Sequence, residues 1–309
     1  MYEECLAGSL VVVLVHLVGF VLLYKTRSQL PNQRLLILNL ALVEMLCGSY
    51  MLIIFSVVVS GIEWRTSFGQ YAITFCETLL YTRIRFTVLH IILDRFLEIY
   101  MNMKYPIYMT RRVMVVVLTI LWFLSVVSAL ISVLLKTFLS KYTAHKFALM
   151  SMFTLDVIIF TSATVTYIYF FKTTRRIRTL DSIASGRKSP SMIGLFRERF
   201  LLPCYIVCTY MLFNLSSIIL ATVSRYVERG SDKVALTRAS YVLDMVGFTS
   251  DAAIYVFANK SVRKFLQSLI RDVKREIDFK RRKSASFVIR NGNRVIKTEY
   301  YVYEILSSV

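Results

Sequence analysis

The sequence contains little proline, glycine or charge, and each shortage excludes a class of protein. Only 4 of the 309 residues are proline and 10 are glycine, which excludes collagen-like and Pro/Gly-rich low-complexity chains. Charged residues make up 18% of the chain and apolar residues 56%, whereas soluble domains average about 25% and about 45–50%. With a mean hydropathy of +0.59, the composition argues against a soluble domain and against disorder.

The chain also has few residues that carry enzyme chemistry. Its three histidines and five cysteines show no metal-ligand spacing, and no nucleophile–base set is visible. These residues are His16, His90, His145, Cys5, Cys47, Cys76, Cys204 and Cys208. We therefore expect a protein that is not an enzyme and that needs no metal or cofactor.

What the chain does contain is a series of apolar stretches, each about as long as the roughly 20 residues that a membrane-crossing helix needs. They cover residues 6–24, 35–60, 70–96, 113–135, 147–171, 201–224 and 234–258. The connections are short apart from residues 172–200. The pattern predicts an all-α membrane protein, a seven-transmembrane helix bundle. Seven buried helices of a soluble α-protein are the disfavoured alternative.

The net charge of +19 would normally suggest nucleic acid, but its distribution suggests topology instead. If the N-terminus lies outside, 27 of the 38 basic residues fall in inner loops and the tail, 8 fall outside, and three lie on the third span. This bias fits the positive-inside rule. We therefore predict a multi-pass membrane protein with a cytosolic C-terminus, in contact with the lipid bilayer and not with nucleic acid.

The end of the third span carries the most specific motif. Asp94-Arg95-Phe96-Leu97-Glu98-Ile99 resembles the D-R-Y-L-A-I pattern of the rhodopsin-like (class A) family of G-protein-coupled receptors. Asn39-Leu40-Ala41-Leu42-Val43-Glu44 is similar to that family's N-L-A-x-x-D, Trp122 to its fourth-span Trp, and Asp251-Ala252-Ala253-Ile254-Tyr255 to its N-P-x-x-Y. The resemblance covers about residues 6–270.

The resemblance implies a receptor of the plasma membrane that binds an extracellular ligand of unknown type and has a heterotrimeric G protein and arrestin as partners. It also implies an activation switch made of Asp94, Arg95, Phe96, Tyr167 and Tyr255, and a short amphipathic helix over about residues 260–270. These residues complete a receptor domain over 1–270, which leaves a basic cytosolic tail over 271–309.

The chain departs from the family at several positions. The sixth-span C-W-x-P reads Phe213-Asn214-Leu215-Ser216, Ala252 replaces the seventh-span proline, and His16 replaces the first-span Asn. None of the four prolines lies in the middle of a span, so we expect spans five to seven to be straighter than in relatives. The family's disulfide also lacks its cysteine in the second outer loop, around residues 136–146.

Charged residues inside a span are expensive and suggest function. Glu77 precedes Arg95 by five helical turns, so it should share the face of Arg95 and look into an outer cavity. In the amine-binding branch of the family, an acid at this position pairs with the ligand's ammonium, which makes a cationic amine a candidate. The ligand-binding candidates are Glu77, Tyr81, Tyr210, Phe213 and Asp244.

An internal charge network is the competing hypothesis for the third span. Arg83 and Arg85 also lie inside it and need acidic partners, for which Glu77, Asp156, Asp244 and Glu44 are candidates. Separately, Glu44 and Asp251 match the family's sodium-pocket positions, where two acids hold a cation or share a proton. A shared proton, or a salt bridge from this pair to Arg85, is slightly favoured.

The tail contains two short motifs. Arg281-Arg282-Lys283-Ser284 has the form of a basophilic-kinase site, and the C-terminal Ser307-Ser308-Val309 has the form that PDZ-domain proteins capture. The basic run over residues 274–283 suits anionic lipid.

These observations leave three functions open. The leading hypothesis is a divergent G-protein-coupled receptor. The alternatives are a seven-span transporter or channel subunit, and a signalling-silent receptor that acts through heterodimerisation.

Overall fold

The computed structural model describes residues 3–26, 31–61, 67–101, 104–138, 141–184, 203–227, 230–257 and 260–290. These residues are almost entirely helical, and they contain no β-strand. The chain divides into two units, Met1–Val262 and Arg263–Val309. The prediction of an all-α protein is confirmed.

The described part of the chain forms nine helices. They are α1 Glu3–Lys25, α2 Pro31–Val59, α3 Ser67–Met101, α4 Tyr105–Tyr108, α5 Arg111–Phe138, α6 Lys141–Ala184, α7 over residues 203–226, α8 Ser231–Phe257 and α9 Lys260–Arg290.

Within the described ranges, five helical segments are long and apolar enough to cross a bilayer. These segments are Glu3–Lys25, Arg34–Val59, Arg111–Phe138, Met150–Arg176 and Pro203–Ser224. Five such segments are typical of a multi-pass membrane protein. The other two long helices of the first unit, α3 and α8, have 35 and 27 residues, but charged residues lower their hydropathy. Seven spans therefore stay a prediction.

The first unit is organised around α3. This helix packs against α2, α5 and α6, while α1 packs against both α2 and α8, and α8 packs against α7. Its central position explains why α3 can carry so many polar residues: Arg83, Arg85, Asp94 and Arg95 are at most 3% exposed. The polar chemistry of the molecule is consequently concentrated along one buried helix.

Two glycines allow neighbouring helices to approach closely. A Cβ atom on Gly48 of α2 would lie 2.8 Å from Val12 Cγ1 of α1, and one on Gly247 of α8 would lie 2.9 Å from Phe213 Cβ of α7. Real side chains do not tolerate such separations. Hence both helix pairs depend on the missing side chain, as interfaces between membrane helices commonly do.

Helix α7 is interrupted at its centre. Residues Tyr210–Asn214 form a π-helical turn, followed by α-helix over Leu215–Tyr226. Its last two residues, Phe213 and Asn214, begin the Phe213-Asn214-Leu215-Ser216 segment discussed in the sequence analysis. A π turn is a recognised cause of helix bending, so a local irregularity is present without proline.

The second unit is described through α9. This helix runs for 31 residues to Arg290, so it continues well past the expected end at about residue 270. Leu269, Ile270, Val273 and Ile277 are 47–65% exposed and recur at helical spacing, which gives α9 an apolar face. Ser284 lies in α9, but its side chain lies outside the description, as do Ser307 and Val309 altogether.

Candidate functional site: a chain of buried polar clusters along α3

At the C-terminal end of α3, Arg95 is enclosed by carboxylates. Its guanidinium donates to Asp94, with Nε 3.1 Å from Oδ2, and it pairs with Glu98 one turn further on. Tyr105 of α4 donates its hydroxyl to the other oxygen of Asp94. Asp94 is fully buried and Arg95 is 3% exposed. The arginine is therefore fixed in a closed arrangement that uses three charged groups and one hydroxyl.

A small cavity lies beside this cluster. Arg95 lines it together with Tyr167 of α6 and with Pro203, Cys204 and Val207 of α7. The structure thus brings together two of the predicted switch residues, Arg95 and Tyr167. Phe96 faces elsewhere: its ring lies 5.9 Å from that of Tyr100 and 5.7 Å from that of Tyr169. The side chain of Tyr255 lies outside the description.

Halfway along α3, Arg85 is paired with Asp156 of α6. Its Nε lies 3.0 Å from Oδ1 and its Nη2 lies 3.3 Å from Oδ2, while Nη1 donates to the Tyr81 carbonyl at 3.0 Å. Tyr210, in the π turn of α7, donates its hydroxyl to Asp156 Oδ1 at 2.6 Å. This bidentate arrangement is the strongest kind of arginine–carboxylate contact. Together with the hydrogen bond from Tyr210, it connects α3, α6 and α7.

Tyr81 extends the network to α8. Its hydroxyl donates to Asp244 Oδ2 at 2.8 Å, so one turn of α3 reaches α6, α7 and α8 through hydrogen bonds. Of the candidate ligand-binding residues, Tyr81 and Asp244 hydrogen-bond to each other, and Tyr210 hydrogen-bonds to Asp156. The internal network that competed with the ligand hypothesis is present, with Asp156 as the carboxylate of Arg85.

Arg83 points to a different interface, between α2, α3 and α5. Its Nη2 donates to Asn39 Oδ1 at 3.0 Å, and its guanidinium carbon lies 4.7 Å from the centre of the Trp122 ring. Trp122 Nε1 donates to the same oxygen at 3.2 Å. Among the described residues, Nε and Nη1 of Arg83 have no hydrogen-bond partner. The charge of Arg83 is therefore balanced by an amide and an aromatic face rather than by an acid.

A fourth cluster joins α1, α2, α7 and α8. Glu44 and Asp251 adjoin each other, and Asp251 accepts a hydrogen bond from Thr209. Two adjacent carboxyl groups resist simultaneous ionisation, so the shared proton of this pair stays a prediction. His16 lies 2.9 Å from the Phe248 carbonyl and 3.6 Å from Glu44. The alternative salt bridge from this pair to Arg85 is wrong, because Arg85 binds Asp156.

Glu77 takes no part in the contacts of either arginine. Its side chain is exposed, whereas Arg95, five turns further along α3, is buried. Pairing of Glu77 with Arg83 or Arg85 is therefore wrong for this structure, and its role as a ligand counter-ion stays a prediction. Phe213 packs against Gly247 of α8.

Sequence reasoning missed several members of these clusters. No local pattern predicts that Tyr105, Asn39 and Thr209 contact a charged group, although Asn39 stands in the second-span motif Asn39-Leu40-Ala41-Leu42-Val43-Glu44. Each is uncharged, and its partner lies on another helix, so only the packing of the helices reveals the contact.

Comparison with known proteins does not assign a function to these clusters. No protein-family model matches the chain, and a search of curated proteins found no match either. The function must therefore be argued from the site itself.

Proposed function

We propose that the protein is a divergent receptor of the rhodopsin-like G-protein-coupled family in the plasma membrane. Its spans would be α1, α2, α3, α5, α6, α7 and α8, with the N-terminus outside. The observation that carries the proposal is the enclosure of Arg95 by Asp94, Glu98 and Tyr105 at the end of α3, which suits the resting state of a switch.

Crossing of the membrane by α3 and α8 is supported by the partners of their charges. Intramembrane ionisable residues are tolerated when they face the bundle interior and pair with one another. Arg85 pairs with Asp156, and Asp244 accepts from Tyr81. Both helices are also longer than the roughly 20 residues required.

The switch would operate through the cavity between α3, α6 and α7. Displacement of α7 would remove Pro203, Cys204 and Val207 from one wall of that cavity and give a G protein access to Arg95. Because Arg95 is held by two carboxylates, the closed state is favoured until a ligand binds the open state better. The role of the ligand is therefore to shift a two-state equilibrium.

This proposal is tested by neutralising one member of the cluster at a time and measuring G-protein activation without ligand. Asp94→Asn is expected to raise basal activation, because one carboxylate of the closed state is lost, whereas Arg95→Ala is expected to abolish it. Arg111→Ala is the matched control, since Arg111 is an exposed arginine at the start of α5. Surface expression is measured for every variant.

Two outcomes would reject the switch. One is G-protein activation by Arg95→Ala at the level of Asp94→Asn. The other is an absence of activation in every variant at normal surface expression, which would favour the signalling-silent receptor.

A further inference from the structure

A second cavity lies away from the α3 clusters, at the end of the bundle that holds the N-terminus. It has a volume of about 230 Å³ and is bounded by Cys5 of α1, Phe55 of α2 and one face of α8. That volume equals roughly eight water molecules, so an organic ligand of about eight to ten non-hydrogen atoms would fill it.

The α8 wall supplies the polar groups. Lys233, Thr237 and Tyr241 succeed one another at four-residue intervals, and Arg238 lies beside them, so all four belong to one face of the helix. Lys233, Thr237 and Tyr241 are half-buried. The cavity is therefore bordered by two cations and two hydroxyl groups.

The balance of charge at the cavity is positive. Arg238 pairs with Glu4 of α1 and keeps 41% of its side chain exposed. Lys233 has no carboxylate partner within the part of the chain that the structure describes. No carboxylate is among the described residues that line the cavity. An acid would thus find an unused ammonium group, whereas an amine would find a like charge.

The opposite wall is apolar. Phe55 is 3% exposed, and its ring meets that of Tyr241 edge to face with 5.3 Å between the centroids. Val234 adds an aliphatic surface and is 42% exposed, so the cavity communicates with the outside of the bundle there. A ligand with one charged end and a short hydrocarbon part matches both walls.

We propose that this cavity binds a small anionic amphiphile, namely a carboxylic acid with a short aliphatic or aryl chain. The carboxylate accepts a hydrogen bond from the Lys233 ammonium group, and the chain packs against Phe55 and Val234. The idea that this ligand acts as a signal rests on the proposed receptor function, but binding of the ligand does not depend on that function. The inference concerns an acid in this cavity and differs from the cationic amine that Glu77 suggests from the sequence.

The test uses purified full-length protein in nanodiscs of zwitterionic lipid and measures dissociation constants by ligand-observed NMR. The probes are hexanoate, hexylamine and hexanol, which share one chain and differ in charge. Saturable binding of hexanoate is expected, at least about tenfold tighter than that of hexylamine or hexanol, because a hydrogen bond to a charged group is lost in each comparison. Empty nanodiscs report the lipid background.

Variants separate charge from shape. Lys233→Gln is expected to weaken hexanoate about tenfold or more and Lys233→Arg to retain it, while Val234→Phe fills the cavity and abolishes binding. Lys264→Gln, which removes an exposed lysine of α9, is the matched control and should bind normally. Thermal unfolding confirms that each variant is folded.

The proposal is overturned if hexanoate shows no saturable binding, if hexylamine or hexanol binds as tightly, or if Lys233→Gln binds like the wild type. Binding is measured without a G protein, so its failure is distinguishable from failure of the receptor proposal. Conversely, Arg95→Ala should bind hexanoate normally even though its signalling is lost.

Discussion

Arg83 and Arg85 lie two residues apart on α3, and both are almost fully buried, yet their surroundings differ in kind. Arg85 meets a carboxylate through two nitrogens and a carbonyl through the third. Arg83 meets one amide oxygen and an indole face, and two of its nitrogens are unsatisfied among the described residues. The charge of Arg85 is neutralised by Asp156, whereas the site around Arg83 retains a net positive charge.

The comparison shows that burial alone does not predict how much a charged residue stabilises a fold. Removal of one partner from a buried pair strands the other charge. Removal of Arg83 leaves no unpaired buried charge, because its neighbours Asn39 and Trp122 are neutral and still form a hydrogen bond with each other. The two positions are therefore expected to respond very differently to the same substitution.

The largest effect is expected for Arg85→Met. Asp156 would stay buried without its cation, so the free energy of unfolding should fall by about 3–5 kcal/mol. Thermal and denaturant unfolding of the detergent-purified protein measure this loss. Arg85→Met combined with Asp156→Asn should recover much of it, because the amide is uncharged and still accepts the hydroxyl of Tyr210. A double variant as unstable as Arg85→Met would contradict the stranded-charge explanation.

A smaller effect is expected for Trp122→Leu. This change removes the aromatic face over Arg83 and the indole donor to Asn39, which should cost about 2 kcal/mol. A double-mutant cycle with Arg83→Met isolates the contact between cation and ring, with an expected coupling of about 1–2 kcal/mol. Strict additivity of the two substitutions would mean that the ring does not stabilise the charge.

The smallest effect is expected for Arg83→Met itself. The variant loses one hydrogen bond and the ring contact, but it also relieves the desolvation of a charge that has no acid beside it. These contributions oppose each other, so the unfolding free energy should change by less than about 1 kcal/mol. Destabilisation as large as that of Arg85→Met would erase the distinction between the two sites.

Part of this arrangement could be predicted from the sequence. The apolar runs predict the helices, and the motif that begins at Asp94 and Arg95 predicts a functional cluster at the end of α3. The acid partner of Arg85 could not be chosen among four candidates, because the choice depends on how α6 is rotated about its own axis. Asp156 faces α3 in the structure, and no local pattern specifies that rotation.

Other features lacked a local signal or had one that was misread. The amphipathic pattern of α9 continues through Val273 and Ile277. The many charges around these two residues favour the interpretation of this segment as a basic tail. The π turn at Tyr210–Asn214 contains no proline, so the sequence gives no local signal for an irregular helix there. The cavity beside Lys233 requires three helices from distant parts of the chain, so it was not predicted at all.

The π turn in α7 and Gly247 in α8 have a joint consequence for how this chain can change over generations. Phe213 belongs to the π turn, and its Cβ lies 2.9 Å from the position that a Cβ atom at residue 247 would occupy. Any larger residue at position 247 would therefore have to displace the turn. In descendants of this sequence, position 247 is expected to stay glycine for as long as the π turn holds Phe213 in this place.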